Sequence, residues 1–434
     1  MFMNPTTTIG TSDPEIASSR RVLQKLFAGL HSRPFDVRFW DGSTWPGNAA
    51  SSKFTLVLRH AGTVRRMFWP PGPLNFAAAY VYDDFDIEGD VLAFHDLCDY
   101  LENDVRKQPL VRRLRLAWNL WRLPRLKRLR AGRDPVQLAG ALHSRERDRA
   151  AIRYHYDQPT VFFEKLLGPA MLYTSGVWES PSESLEVAQE RKLDTICRKL
   201  RLKAGDRLLD IGCGWGMLGM HAAKNYGAQT VGVTISQPGA DWARERIRAE
   251  GQESRCRVEV LDYRDLPDNE PFDKISCVEV GEHFGVSQYP TYWKKCKSLL
   301  RPGGTVLHQQ IELSDTAMPK AAIAFSQRFV FPDGELVPLN VLLRPAEEAG
   351  LEIRDVEGLR EHYPLTLKHW LANLEANEKE LIAATDEATY RSFRLYLAGA
   401  AWGFNHNVYN LYQILLVKPD ACRSGLPLSR GDWY

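Results

Sequence analysis

Residues 206–216, DRLLDIGCGWG, decide the fold of this 434-residue chain. The first part of the stretch is short and apolar and predicts a β-strand. Glycines at 212, 214 and 216 then allow the backbone to turn tightly and to approach a ligand closely. The N-terminus of the helix expected to follow favours negative charge. The stretch therefore predicts a strand, a ligand-binding turn and a helix.

Outward from this stretch, strands and helices alternate from about residue 150 to the end of the chain. The other strand-like segments are QTVGV, CRVEVL, FDKISCVEV, GTVLHQQI and YQILLVK. Helical segments such as ADWARERIRAE separate several of them. This alternation predicts the α/β class, with a doubly wound sheet and a ligand crevice at the strand ends.

The turn itself indicates which ligand it binds. Asp210 precedes glycines spaced G-x-G-x-G, whereas nicotinamide-binding loops have G-x-G-x-x-G. The pattern resembles the S-adenosylmethionine loop of class I methyltransferases, where the carboxyl group of the methionine moiety would lie near the loop. Asp262, at the end of a later strand, is expected to accept a hydrogen bond from the adenine amine. The alternative is that Asp262 only caps its own loop. The residues expected to contact the cofactor are Tyr156, Asp210, Gly212, Gly214, Gly216, Thr234, Ile235, Asp262 and Tyr263.

Composition and length favour more than one globular domain, with 44% hydrophobic and 25% charged residues. Residues 1–20 are rich in Ser, Thr and Pro and are predicted to be disordered. Residues 21–104 are expected to form a small α+β domain, with a strand at FTLVLRH and a helix at LAFHDLCDYLEN. Residues 105–148 are expected to form a basic amphipathic linker, and residues 149–434 the doubly wound domain.

Positive charge is concentrated in residues 106–133, which carry eleven Arg or Lys and no acidic residue, although the whole chain has a net charge of only +2. Leucines and tryptophans alternate with the arginines. We interpret this segment as a surface that attracts anionic lipid headgroups. The alternative is a solvated linker helix packed on its own protein. Nucleic-acid binding is disfavoured because no recognition motif accompanies the charge.

The sequence also indicates a cellular location. No segment approaches the roughly 20 apolar residues of a membrane span, and the N-terminal residues do not resemble a secretory signal. Seven scattered cysteines without a CxxC pair favour reduced thiols over disulfides or a metal site. We therefore expect a cytoplasmic protein that associates peripherally with the inner face of the membrane, without a metal. A homodimer is left open.

Taken together, the segments resemble the cyclopropane-fatty-acyl-phospholipid synthases and the related mycolic-acid methyltransferases. The resemblance covers almost the whole chain. It implies S-adenosylmethionine-dependent methylation of the cis double bond of an unsaturated fatty-acyl chain in a phospholipid, which gives a cyclopropane. The fragments that carry it, in order, are DGSTWPG, AYVYDDFDIEGD, HYD (155–157), FFEKLLGPAMLYTSGVW (162–178), LLDIGCGWG, GVTIS, DYRDL, GEHFG (281–285), LRPGG, FVFPDGEL and HYPLTLKHW (362–370).

Other functions remain open at this point. The same chemistry could leave a methyl- or methylene-branched chain instead of a ring. A small-molecule O- or N-methyltransferase would use the same glycine loop, and a lipid-binding protein could have a degenerate methyltransferase fold. The lipid reaction needs electron-rich surroundings for a cation, which aromatic faces supply. Candidate aromatic residues, each of which could instead belong to the core, are Tyr173, Trp178, Phe284, Tyr289, Tyr363 and Trp370.

The resemblance further implies a base, which in that family is typically a bound bicarbonate. This chain matches the family's pocket at Glu282 and Tyr363. It departs from the family at Ser175, where a cysteine is usual, and at Gln309, where a histidine is usual. His308 is one residue away, and strand alternation would direct it to the opposite face. Either an altered anion pocket persists, with Glu282 orienting the anion, or Glu282 accepts the proton itself.

Overall fold

The computed structural model describes residues 13–125, 138–156, 158–314 and 320–433. The chain divides into two compact units. The first comprises Met1–Arg133 with Pro319–Phe325, and the second comprises Asp134–Met318 with Ser326–Tyr434. Within the described residues, no helix combines the length and the apolarity that crossing a bilayer requires.

The elements of the first unit are α1 (Pro14–Leu26), β1 (Phe35–Arg38), β2 (Thr44–Trp45), β3 (Phe54–Leu58), α2 (Thr63–Phe68), α3 (Pro73–Val81), β4 (Phe85–Gly89), α4 (Val91–Lys107) and α5 (Leu110–Trp121). Its four strands form a sheet of order β2-β1-β3-β4, in which β1 and β3 are parallel and the other pairs are antiparallel. The strand expected at FTLVLRH is β3, and the helix expected at LAFHDLCDYLEN is α4.

Residues 1–20 were expected to be disordered, but from Pro14 onward they belong to helix α1. Asp13 caps the helix through a carboxylate that accepts a hydrogen bond from the backbone N–H of Glu15 at 2.8 Å. Ile16, Val22, Leu23 and Leu26 are buried at helical spacing. This apolar face outweighs the polar composition that suggested disorder. Residues 1–12 lie outside the described residues.

Helix α5 belongs to the first unit, although its residues were expected to lie in a linker. Leu120 and Leu123 are buried, and the guanidinium of Arg65 donates hydrogen bonds to the carbonyls of Trp121 and Leu123. The opposite side of the helix exposes large apolar side chains. These exposed residues are Leu110, Val111, Leu114, Trp118 and Trp121. Residues 126–133 of the basic segment lie outside the described residues, as do residues 134–137.

The second unit is built on a seven-stranded sheet. Its elements are α6 (Arg145–Tyr156), α7 (Thr160–Leu167), α8 (Leu185–Leu200), β5 (Arg207–Ile211), α9 (Met217–Tyr226), β6 (Gln229–Thr234), α10 (Gln237–Ala249), β7 (Cys256–Val260), β8 (Phe272–Val278), α11 (Tyr289–Leu299), β9 (Leu300–Leu313), α13 (Leu339–Glu348), β10 (Glu352–Gly358), α14 (His362–Ala376), α15 (Glu378–Ala384), α16 (Glu387–Asn405) and β11 (Tyr409–Val417). Helix α12 (Lys320–Phe329) contributes residues to both units.

The sheet has the order β10-β11-β9-β8-β5-β6-β7. Strands β5 to β9 are parallel, and β11 runs antiparallel between β9 and β10. This arrangement confirms the predicted doubly wound α/β class. Strand β10 was not anticipated, because it is a half-exposed edge strand with the charged sequence EIRDVEG. The carboxyl ends of β5, β6 and β8 meet at one edge, where ligands bind in such sheets.

Candidate active site

The glycine turn has the conformation that the sequence predicted. Gly212, Gly214 and Gly216 have φ values of 71°, 54° and 76°, in the left-handed region that favours glycine. The backbone N–H groups of Gly212 and Cys213 donate hydrogen bonds to the carbonyl of Val233, which holds the turn against β6. Helix α9 then begins at Met217.

A buried acid and a buried amine lie beside this turn. The hydroxyl of Ser276 donates to Asp210 Oδ1 at 2.7 Å, and burial raises the pKa of Asp210 to about 7. Lys192, on α8, donates to Thr174 Oγ1 at 2.6 Å, and burial lowers its pKa to about 8. Lys192 was not anticipated from the sequence, where it is one of many charged residues in a helix.

One cavity collects the expected cofactor residues at the strand ends. Gly216 is the exception, because it caps α9 behind Trp215. The cavity offers backbone N–H groups, four acidic side chains and aromatic rings, a set that suits an amino acid joined to a nucleoside. The expected residues that line the cavity are Tyr156, Asp210, Gly212, Gly214, Thr234, Ile235, Asp262 and Tyr263.

Asp262 also has the structural role that was its alternative interpretation. Its Oδ1 accepts hydrogen bonds from the backbone N–H and the Nε of Arg264, at 3.0 and 2.9 Å. Its Oδ2 accepts from Arg264 Nη2 at 2.6 Å. Burial raises the pKa of Asp262, but the hydrogen bonds and charge of Arg264 outweigh this effect and lower it. A bound adenine would therefore meet a fixed, ionised carboxylate.

The second feature of the cavity is the carboxylate of Glu279, which directly follows β8 and lines the wall. Its Oε1 accepts hydrogen bonds from the backbone N–H of Ser175 at 3.0 Å and from Gln309 Nε2 at 2.6 Å. Its Oε2 accepts from the hydroxyl of Tyr363 at 2.6 Å. Three of the four residues expected around an anion thus surround a carboxylate of the protein itself.

Glu282, the fourth of those residues, does not hydrogen-bond Glu279. Its Oε1 accepts a hydrogen bond from the backbone N–H of Ile311 at 2.7 Å, while Oε2 has no partner among the described residues. Burial, and then the charge of Glu279, raise the pKa of Glu282 to about 8. Glu282 is therefore largely protonated at neutral pH.

Comparison with known proteins decides the family. The protein family described as "Mycolic acid cyclopropane synthetase" matches residues 143–414 of this chain. The chain belongs to this family. A probable fatty acid methyltransferase of Pseudomonas putida is 35% identical over 409 residues, covering 92% of this chain and 96% of that protein. Sphingolipid C9-methyltransferase 1 of Gibberella zeae is 34% identical over 283 residues, covering 64% of this chain and 55% of that protein.

Solved cyclopropane synthases have the same fold. The synthase MmaA2 from Mycobacterium tuberculosis has a TM-score of 0.60 and 27% identity, covering 62% of this chain and 97% of that chain. The synthase CmaA1, complexed with SAH and CTAB, has a TM-score of 0.59 and 29% identity, with the same coverage. This member of the mycolic acid cyclopropane synthetase family is thus an S-adenosylmethionine-dependent lipid methyltransferase.

In this cyclopropane synthetase homologue, His308 does point away from the anion pocket. His308 is buried, its Nδ1 is 3.0 Å from the hydroxyl of Tyr292, and its Nε2 is 2.8 Å from Gln310 Oε1. The pairing of β9 with β8 is regular at this point, with Cys277 opposite His308 and Val278 opposite Gln309. The alternation predicted for the strand is therefore confirmed.

The aromatic candidates divide into two groups. Tyr173 and Phe284 line the cavity, Tyr363 bonds Glu279, and the ring centroid of Trp370 lies 5.1 Å from that of Tyr173. The other two belong to the surrounding core. The Nε1 of Trp178 donates to Thr366, and the hydroxyl of Tyr289 accepts from Gln310. His155, which belongs to the HYD fragment but was not expected in the site, packs its ring against Tyr173.

Proposed function

We propose that the protein methylates the cis double bond of an unsaturated fatty-acyl chain in a phospholipid. The observation that carries this proposal is the composition of the cavity. The glycine turn, aromatic rings and the half-buried Glu279 line the same cavity. An alkene is a poor nucleophile, and its methylation produces a cation that must then lose a proton. The reaction therefore needs a site that is close, dry and electron-rich and that provides a base.

Each group of residues has one task in this proposal. S-adenosylmethionine, when bound, supplies a methyl group on a positively charged sulfur. The turn at Asp210–Gly216 and the ends of β6 and β7 hold the cofactor. Tyr173 and Phe284 exclude water, and their ring faces stabilise positive charge. The Glu279 carboxylate, which lines the cavity, stabilises the cation electrostatically.

The first candidate product is a cyclopropane, as in the solved synthases with this fold. The second is an unsaturated methyl-branched or methylene-branched chain, and the names of the relatives, a fatty acid methyltransferase and sphingolipid C9-methyltransferases, favour a branch. Both products add one carbon and lose one proton, so they are isomers of equal mass.

The substrate would be reached at a bilayer surface. The exposed apolar side of α5 includes Trp118 and Trp121, and arginines flank it. Tryptophan and arginine are typical of helices that lie in the interface of anionic membranes. We propose peripheral association with the inner face of the cytoplasmic membrane through this helix.

Lipid mass spectrometry tests the function. Cells that express the protein and receive methyl-labelled methionine should accumulate phospholipid acyl chains heavier by one labelled carbon. Fragmentation of these chains distinguishes the ring from the branch. Cells expressing Gly212→Val serve as the control. Label that appears in small molecules but not in acyl chains would support an O- or N-methyltransferase instead.

A further inference from the structure

Glu279 has a backbone conformation that is rare for its residue type. Its φ is 55°, which costs a residue with a Cβ roughly 1 kcal/mol or more relative to the right-handed region. Its backbone N–H donates to the carbonyl of Gln309 at 2.7 Å, so the neighbouring strand holds it there. Such strain persists when the surrounding structure fixes it, and it is concentrated at functional sites. Here it directs the side chain to the cavity wall.

The three donors to Glu279 come from separate parts of the second unit, a loop, strand β9 and helix α14. The orientation of one of them is itself fixed. Gln413 Nε2 donates to Gln309 Oε1 at 2.8 Å, and Lys199 donates to Gln413 Oε1 at 2.7 Å. These bonds direct the Nε2 of Gln309 at Glu279. An amide nitrogen only donates hydrogen bonds, so this environment favours an ionised acceptor.

A bound bicarbonate does not fit this arrangement. Ser175, Gln309 and Tyr363 would have to give it hydrogen bonds that Glu279 already accepts. A second anion beside this half-buried carboxylate would also be repelled, because like charges interact more strongly where little water is present. The residues that would bind the family's usual base, bicarbonate, are therefore already occupied by Glu279 in this protein.

We propose that the carboxylate of Glu279 is the base of the reaction, in place of bicarbonate. This inference rests on the proposed function. The electron pair of the alkene forms the new carbon–carbon bond as the methyl–sulfur bond breaks and its pair stays on sulfur. The cation then loses one proton to Glu279. The C–H electron pair closes the ring or, after a hydride shift, forms the double bond of the methylene branch.

Glu279 is better placed for this step than Glu282. Glu279 lines the cavity, whereas Glu282 is not among the lining residues. A carboxylate has about four lone-pair sites, and three of those on Glu279 are occupied, which leaves one on Oε2 for a proton. Burial raises the pKa of Glu279, which suits a base, while its three hydrogen bonds and the charge of Lys192 favour the ionised form. Burial and the charge of Glu279 raise the pKa of Glu282 to about 8, which disfavours the ionised form that a base needs.

The test uses the purified full-length protein, labelled S-adenosylmethionine and vesicles of dioleoyl phosphatidylglycerol and phosphatidylethanolamine. We expect the turnover of the wild type to be the same in CO2-free buffer and with added bicarbonate. Glu279→Gln should lose at least about tenfold in turnover. Glu279→Gly suits the left-handed backbone and leaves the three donors free. Its turnover should therefore depend on added bicarbonate.

Glu312→Gln is the matched control, because Glu312 is also a buried carboxylate with a pKa raised to about 8, but it does not line the cavity. It should retain wild-type turnover, and binding of S-adenosylhomocysteine by each variant would show that the site is folded. Three results would overturn the inference: wild type that requires bicarbonate, Glu279→Gln within twofold of wild type, or Glu279→Gly active without bicarbonate. Wild type that labels no lipid would contradict the proposed function instead.

Discussion

At the scale of single residues, two glycines of one turn have different tasks. A Cβ at Gly212 would lie 2.4 Å from Val280 Cγ2, whereas a Cβ at Gly214 would meet nothing within 4 Å. Both residues have a left-handed φ, so alanine adds strain at either position. Only Gly212 therefore combines strain with a steric clash, while Gly214 faces open space in the cavity.

We accordingly expect Gly212→Ala to destabilise the fold by about 3 kcal/mol, the sum of strain and overpacking. Gly214→Ala should cost about 1 kcal/mol of stability, but it should weaken cofactor binding because its methyl group enters the cavity. Denaturant unfolding and calorimetry with S-adenosylhomocysteine would separate the two effects. Equal losses of stability in both variants would contradict this division of tasks.

Glu282 gives a prediction about pH. Its folded-state pKa is raised from 4.5 to about 8, so the folded protein holds a proton that the unfolded chain releases. Stability should therefore fall as pH rises from about 5 to 8, by up to about 1.4 kcal/mol per pH unit. Glu282→Gln is neutral at every pH and should lack this component. Urea unfolding of both proteins across this range should show the variant gaining relative stability, and parallel curves would be evidence against a raised pKa.

At the scale of an element, helix α5 has two apolar sides and only one is covered. Leu120 and Leu123 are buried, while Trp118 and Trp121 are 59% and 50% exposed. Arg112, Arg113, Arg115 and Arg122 are exposed along the same helix and its end. We expect a variant in which all four arginines are replaced by glutamine to bind phosphatidylglycerol vesicles more weakly. The loss should be about 1 kcal/mol for each residue near the membrane surface.

Co-sedimentation at increasing salt would measure this effect, because salt screens the attraction. The matched control replaces four exposed or partly exposed basic residues of the second unit, which are Arg244, Arg246, Arg248 and Arg257. This control should bind as well as the wild type. If both sets of replacements weaken binding equally, net charge rather than α5 attracts the protein to lipid.

At the scale of the whole molecule, every expected cofactor residue lies in the second unit. Ligand binding stabilises the segments that it contacts and leaves independent segments unchanged. We expect S-adenosylhomocysteine to increase the hydrogen-exchange protection of residues 210–216, 234–236 and 262–264. Strands β1, β3 and β4 of the first unit should exchange at an unchanged rate. Equal protection of both units would instead indicate that the ligand couples them.

The sequence alone determined the features that depend on local pattern. The glycine spacing required a left-handed turn after β5, because only glycine adopts it without strain. Strand alternation placed Gln309 and His308 on opposite faces, which the hydrogen bonds of both residues confirm. The prediction of disorder up to residue 20 was wrong from Pro14 onward. It relied on the polar composition and overlooked the helical spacing of the apolar residues that α1 buries.

Only the tertiary structure decided which acid faces the cavity. Glu279 and Glu282 are three residues apart in one loop, and family resemblance pointed to Glu282. The position of Glu279 directly after a buried strand was a signal, since ligands bind at such strand ends. Its donors, however, lie 104, 30 and 84 residues away in the chain. No local pattern encodes their convergence, because it is created by the packing of the sheet, a loop and helix α14.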